Sequence, residues 1–335
     1  MQLLEIPLIL GGLLLLAISV LFWKQSFRLS RRAFRIGLAA SSATLLLIAG
    51  YVLMLGSYAV WYTHRPIPTT MHQSLFQGIT YLREVRTQPR PLVVHVITVD
   101  LDAPGLQFLV TPSQPTNGYQ LAARTTSDFL YEFKVQLAIN AGFFKPWHPD
   151  NPFNYYPRVG DGVDALGFFS SRGVSYSEPR IANPTLYISA DNIASFHPPS
   201  GQPYNAISGS PIFVESGKFQ PRDLFIREDS TELHPRNAVA LDKSERKLIL
   251  FVIDGRQPGY SEGLTIEEMA DIVIQHGAYT AMNLDGGGSS TLVIQDESGW
   301  PMILNSPIDF LIPGREREVG NHLGIYALRN RTSPP

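Results

Sequence analysis

The sequence predicts an α+β domain behind a two-helix membrane anchor. Three observations carry that prediction. Two apolar runs, 3–23 and 36–62, reach the roughly 20 residues that span a bilayer core. Beyond them, short runs rich in Val, Ile, Leu and aromatics are broken by Pro and Gly, which is the pattern of strands and turns. One segment, 247–294, reads as strand, helix and strand in succession.

The anchor comes first. Between its two apolar runs lies "KQSFRLSRRAFR" (24–35), with Lys24, Arg28, Arg31, Arg32 and Arg35 and no acid. By the positive-inside rule this short loop is cytoplasmic, so both ends of the hairpin face outward and the C-terminal domain is external, in the periplasm or the medium. Trp23, Trp61 and Tyr62 stand where interfacial aromatics belong. A signal peptide has its basic residues ahead of the apolar run rather than after it. Residues 63–78 are polar, contain two prolines and read as a linker. The domain occupies 79–328 and leaves 329–335 as a disordered tail.

Within the domain, "ITYLREV", "PLVVHVITVDL" and "LQFLVTP" are strands. "TTSDFLYEF" (125–133) is a short helix capped by Thr125 or Thr126. "VQLAINAGFF" (135–144) returns to strand and ends at Asn140, Ala141 and Gly142. Residues 145–170 form a long loop that sets Trp147, His148, Phe153, Tyr155 and Tyr156 among four prolines. A loop of this length in a compact domain is functional or disordered, and its aromatics argue against disorder. "KLILFVIDG" is a continuous apolar strand of the kind buried on both faces. In "LTIEEMADIVIQHGA", Thr265 and Glu268 make a capping box, Gly277 ends the helix, and Leu264, Met269, Ile272 and Val273 face inward. "YTAMNLD" is the second strand. A strand–helix–strand crossover makes its two strands parallel. Asp254 and Asp285 then emerge at one sheet edge, where ligands bind in open sheets.

Composition narrows the chemistry. A net charge of -2 offers no field for nucleic acid. With no cysteine there is no disulfide, no thiol catalysis and no Cys-ligated zinc. No histidine pair has metal-ligand spacing, and no G-x-S-x-G elbow or phosphate-binding G-x-x-x-x-G-K-[ST] loop occurs. His148, His234 and His322 remain as loop candidates for an acid or base.

The stretch "AMNLDGGGSSTLVI" (281–294) stands out. Gly286, Gly287 and Gly288 can uncover successive backbone N–H groups as an anion cradle, with Ser289 and Ser290 adding hydroxyl donors. Asp285 beside such a cradle repels an anion unless it binds a cation or does proton chemistry. The bland alternative is a tight turn with an Asx-type hydrogen bond. Arg256, next to Asp254, and Arg236 can clamp a phosphate, or can be ordinary strand-end charges.

Read together and in order, "INAGFF" (139–144), "ISGSPIFVESGK" (207–218), "HPRNAVALD" (234–242), "LFVIDGRQPGYSEGLTIEEMADIV" (250–273), "MNLDGGGSSTLV" (282–293) and "EREVGNHLGIYAL" (316–328) resemble the phosphodiester glycosidase family. The resemblance covers nearly all of 79–328. It implies a mixed, curved sheet with flanking helices and hydrolysis of the bond between an anomeric carbon and phosphate. The positions that match the family's motifs are Asn140, Gly142, Ser208, Gly209, Arg236, Asp254, Arg256, Asn283, Asp285, Gly286, Gly287, Gly288, Ser289, Ser290, Glu316, Arg317 and Asn321, with Gly255 between the acid and the arginine.

On this reading Asp285, Asp254 and Glu316 are the candidate catalytic carboxylates, and the others bind substrate or phosphate. Trp147, Tyr155 and Tyr156 can form a platform for the sugar. The substrate is a phosphate-linked glycan of the cell envelope or exterior, such as an exopolysaccharide, a teichoic-acid-like polymer or a glycolipid. No resident cofactor is expected. Two rivals stand beside this reading. One is a metal-assisted phosphodiesterase with a divalent cation on Asp254, Asp285 and Asn283. The other is a membrane-tethered module that binds or exports polysaccharide. The chain departs from the family's animal members in lacking cysteines and in carrying its anchor at the N-terminus.

Overall fold

The computed structural model describes residues 5–28, 30–151, 154–178, 183–221 and 231–330, and the chain divides into two compact units, Met1–Ile67 and Pro68–Pro335. Phe153 and residues 331–335 lie outside the described residues.

The first unit is a helical hairpin, Glu5–Ser26 and Arg32–His64. Both helices are long and apolar enough to cross a membrane, with mean hydropathies of 2.5 and 2.0 over their apolar spans. The second starts earlier and ends later than its apolar run, because the flanking Arg32–Arg35 and Thr63–His64 continue the same backbone hydrogen bonding. Small residues bring the two together. Gly12 lies against Leu53 and Gly56 against Ile9, where a Cβ would sit at 2.6 and 2.9 Å. Between them the Ser19 and Ser42 hydroxyls each donate to the other residue's carbonyl at 2.8 Å. Close backbone approach and interhelical hydroxyl bonds of this kind hold helices together in lipid, where hydrophobicity supplies no drive.

The second unit is α+β. Its largest sheet has eight strands in the order Met71–Phe76, Ile79–Arg86, Leu92–Asp100, Lys247–Ile253, Arg236–Leu241, Thr280–Asn283, Ile212–Glu215 and Lys218–Phe219. Met71–Phe76 was expected as linker but pairs with the next strand, Met71 opposite Arg83. Its polar face is exposed, so the apolar pattern that betrays a strand is missing. A five-stranded sheet carries Pro301–Ile303, Leu292–Gln295, Leu137–Asn140, His322–Tyr326 and Gln107–Val110. The expected loop at 145–170 is threaded with short strands, among them the hairpin His148–Asn151/Asn154–Tyr156 and Gly162–Ala165.

The central strand explains its own sequence. Along Lys247–Ile253, Leu248, Leu250 and Val252 face one way, onto a core shared with Leu137, Ile139, Leu323 and Ile325 of the second sheet. Ile249, Phe251 and Ile253 face the other way, onto Ile266, Met269, Ile272 and Val273 of the helix Ile266–Gln275. A strand covered on both faces must be apolar throughout. The helix is capped as expected, the Thr265 hydroxyl accepting from the Glu268 N–H and the Glu268 carboxylate from the Thr265 N–H. Thr125, not Thr126, caps the helix Thr126–Phe133.

The crossover strands do run parallel, but they are not neighbours. Arg236–Leu241 lies between them and pairs antiparallel with both, Ala238 facing Phe251 on one side and Asn283 on the other. Every ladder among the described strands is antiparallel. The insertion places the start of Arg236–Leu241 at the same edge as the ends of Lys247–Ile253 and Thr280–Asn283. That edge collects His234, Arg236, Asp254, Arg256 and Asp285.

His322 is structural. It is fully buried in Leu137–Asn140's partner strand, stacked on Phe129 with ring centroids 4.7 Å apart and bonded through Nδ1 to the Thr111 hydroxyl at 3.1 Å. Burial, with the Arg124 guanidinium adding to it, holds its imidazole well below the ordinary range. A depressed histidine contributes stability that is present above the unfolded value of about 6.5 and is lost as pH falls. Urea unfolding at successive pH values below about 6.5 is therefore expected to show His322→Gln losing less stability per unit than the parent, by up to about 1.4 kcal/mol.

Candidate functional site

At the shared strand edge a groove of about 280 Å³ is lined by, among others, Trp147, His234, Arg236, Arg256, Asn283, Asp285 and Arg317, with the turn Gly286–Gly288 as its floor. The sheet register delivers most of these. Thr280–Asn283 ends in Asn283 and leads directly into Asp285, while Arg256 follows the end of Lys247–Ile253.

The glycines of this turn allow close approach, and part of its backbone is committed within the protein. The Gly287 N–H donates to the Pro235 carbonyl, and the Ser289 and Ser290 N–H groups donate back to Gly286 and Gly287 within a short 3-10 turn. These three amides are therefore not available to an anion. A Cβ on Gly287 would lie 3.3 Å from the Arg256 guanidinium, and one on Gly288 only 2.3 Å from that of Arg317. Gly287 also has φ of 63°, which glycine adopts without strain. Bare backbone at both positions lets two guanidinium groups lie against the floor.

Each arginine is aimed by a partner. Arg317 donates from Nε to the Asp309 carboxylate at 2.8 Å and from NH1 to the Ser289 hydroxyl at 3.2 Å, with its guanidinium 4.3 Å from the centre of the Trp147 ring. Arg256 donates to His234 Nδ1 at 3.2–3.3 Å, and His234 Nε2 meets the Glu232 carboxylate at 3.0 Å. That network assigns the His234 proton to Nε2. Arg236 is buried and held by the carbonyls of Leu264 and Glu232.

Behind the floor, Asn140 ties the site together. Its Nδ2 donates to the Asp285 carbonyl at 2.7 Å, and its Oδ1 accepts from the Thr291 N–H at 3.0 Å and from Asn237 Nδ2 at 2.5 Å. Asn283 lines the groove, donates to the Ser210 carbonyl at 2.8 Å, and has a buried Oδ1 without a hydrogen-bond partner among the described residues.

The other residues singled out in the sequence stand further back. Gly142 and Gly209 are points of close packing, where a Cβ would meet the Ser208 and Asn283 carbonyls at 2.3 and 2.2 Å. Ser208 is buried against Phe168 and Thr185. Ser290 is buried beneath the turn. Asn321 accepts the Gly142 N–H at 2.6 Å. Tyr155 is buried, with its hydroxyl 3.1 Å from Asp309 and from Glu318, and Tyr156 bonds to Gly162, so of the three aromatics only Trp147 lines the groove.

Two of the three carboxylates are also elsewhere. Glu316 accepts the Ser127 N–H at the start of the helix Thr126–Phe133, and burial raises its carboxyl above the usual range. Asp254 is fully buried and accepts from His95 Nε2, Tyr260, Asn305 Nδ2 and the Ser306 N–H at 2.9–3.3 Å. His95 in turn bonds to Tyr81, whose phenol burial pushes up to about 12. Both Asp254 oxygens are thus occupied by protein donors, so Asp254 organises the edge and does not join Asp285 as a cation ligand. Asp285 is the carboxylate in the groove. Asp309, a buried acid in a loop without periodicity, had no signal in the sequence.

Two outcomes follow from this geometry. Asp254→Ala leaves several buried donors unpaired and is expected to cost about 3 kcal/mol or more in chemical denaturation. Gly288→Ala would crowd both the Arg317 guanidinium, at 2.3 Å, and the Asp309 carboxylate, at 3.1 Å, so thermal unfolding should show a melting temperature lowered by several degrees.

Comparison with known proteins places the chain. The sequence model of the phosphodiester glycosidase family matches residues 133–326, more than half of the chain. N-acetylglucosamine-1-phosphodiester alpha-N-acetylglucosaminidase of Mus musculus is 46% identical over 59 residues, which are 18% of this chain and 11% of that protein. The chain therefore matches only about a tenth of that relative's length. Among solved structures, the catalytic domain of the zebrafish enzyme of that name, auto-inhibited by its pro-peptide, has a TM-score of 0.53 at 22% identity, covering 79% of this chain and 85% of that one. A hypothetical protein from Synechocystis has a TM-score of 0.55 at 16% identity, covering 78% and 64%. These structures share the fold, and with the match across 133–326 they make this chain a member of the phosphodiester glycosidase family.

Proposed function

We propose that this protein is a membrane-anchored, outward-facing hydrolase that cleaves the glycosyl–phosphate bond of sugar-1-phosphodiesters. The observation that carries the proposal is the groove itself: one carboxylate, Asp285, beside two arginines laid against a glycine floor. Family membership supports the reaction class, and the basic loop 24–35 between two apolar helices supports the anchored, external placement.

The arginines receive the phosphate. Arg256 and Arg317 offer fixed donors where negative charge grows as the C1–O bond breaks and its electron pair passes to the phosphate oxygen. Such preorganised stabilisation is usually the largest single catalytic contribution. A phosphate so neutralised leaves without needing a strong general acid. Water then adds to C1, and Asp285 takes its proton. The products are a free sugar and a phosphomonoester. The buried Asn283 Oδ1 is an acceptor for a sugar hydroxyl, and the exposed Trp147 edge is available to the ring.

The test is hydrolysis of a panel of sugar-1-phosphodiesters by the full-length protein, with and without EDTA. Free sugar should appear in both. Asp285→Asn should lower the rate by about 10²–10⁴-fold, the range for a lost acid–base group. Arg317→Ala should lower it by about 10²–10³-fold, as for a lost charge-stabilising donor. Loss of activity in EDTA would move the case to a metal-assisted phosphodiesterase. Glycan binding without turnover, unchanged in Asp285→Asn, would make the protein a binding module.

A further inference from the structure

A second cavity, of about 250 Å³, adjoins the groove and shares Trp147, Arg256 and Arg317 with it. Its remaining wall is Ile308, Asp309, Phe310 and Leu311. Asp309 offers nothing to a ligand there. One of its oxygens accepts from Arg317 at 2.8 Å, and the other from the Tyr155 hydroxyl at 3.1 Å and from Arg315 at 3.3 Å. Two nearby amides are also taken up, Leu311 N–H by the Ile308 carbonyl and Ile312 N–H by that of Asp309.

What the wall does present is apolar. Phe310 and Leu311 both hold left-handed backbone, with φ of 52° and 57°, a conformation bulky residues rarely adopt and one that clusters at ligand sites. The Phe310 ring is fixed against Tyr155, centroids 5.1 Å apart. Leu311 and Ile312 are left at the rim, 64% and 44% exposed. A second sugar at this position would need donors and acceptors for its hydroxyls. Beyond the shared cations, this wall shows no side-chain donor or acceptor that is not already engaged, among the described residues.

We infer that the second cavity receives an alkyl chain, so that the substrate is a diester joining a sugar through its 1-phosphate to a lipid-type alcohol. This inference rests on the reading of the groove as the sugar-phosphate site. The phosphate sits at the arginine pair shared by the two cavities. The sugar lies on the side of Asp285 and Asn283, and the ester's alkyl arm runs over Phe310 toward Leu311. Hydrolysis at C1 then releases free sugar and leaves an alkyl phosphate in the second cavity.

Product-like ligands test this without turnover. Binding of methyl phosphate and hexyl phosphate would be measured by calorimetry on the full-length protein in lipid nanodiscs. Several methylenes buried against this wall should make hexyl phosphate at least about tenfold tighter than methyl phosphate. Leu311→Asn keeps a residue that tolerates left-handed backbone and should cut that ratio to about twofold or less. Equal affinities would overturn the inference, and so would a ratio that survives Leu311→Asn, which would mark partition into the bilayer. If neither phosphate binds, the arginine pair is not a phosphate site and the proposed function fails together with the inference. If both bind equally, only the alkyl assignment fails.

Discussion

One side-chain amide, that of Asn140, holds the functional edge together. It ends a strand of the five-stranded sheet, yet its three hydrogen bonds go to the Asp285 carbonyl, the Thr291 N–H and Asn237 of the eight-stranded sheet. Both sheets and both ends of the glycine turn are therefore referenced to a single buried group. A planar amide with one donor face and one acceptor face can satisfy these partners in only one orientation. The Asp285 N–H completes the link by donating to the Ala141 carbonyl, one residue on from Asn140. Asp285 is thereby fixed by backbone on both sides, while its side chain remains in the groove.

The second constraint is charge. Two guanidinium groups beside one turn repel each other, and the fold answers each with a counter-charge of its own. Asp309, buried, faces Arg317. Glu232 reaches Arg256 through His234. Asp285 lies in the same groove as both guanidinium groups. The glycines belong to the same solution, because any side chain at 288 would occupy the space of the Arg317 guanidinium.

Much of this was legible in the sequence where the signal was local. The Thr265–Glu268 capping box, the doubly buried strand Lys247–Ile253 and the position of Asp285 at a strand end all follow from spacing and periodicity within a few residues. What escaped reading depends on partners far along the chain. Nothing between 247 and 294 reveals that Arg236–Leu241 slips between the two crossover strands. Nor does anything distinguish Asp254 from Asp285, since both are acids before glycine at strand ends. Only the tertiary donors His95, Asn305 and Ser306 make one of them a buried hub. The close approach of the glycines was hidden for the same reason, because the side chains that lie against them belong to Arg256 and Arg317, about 30 residues away on either side.

The burial of Asp254 bears on the chemistry as well as on the fold. A glycosidase whose leaving group is an alcohol needs two carboxyl groups across the scissile bond, one of them to protonate the departing oxygen. A phosphate departs as a stabilised anion, so cations can replace that acid. On the proposed reading, the arginine pair takes over the work of a second carboxylate, and Asp254 is free to be withdrawn into the structure as an acceptor for four protein donors. A groove with one acid and several cations is thus not an incomplete glycosidase site. It is the arrangement that a phosphate leaving group calls for.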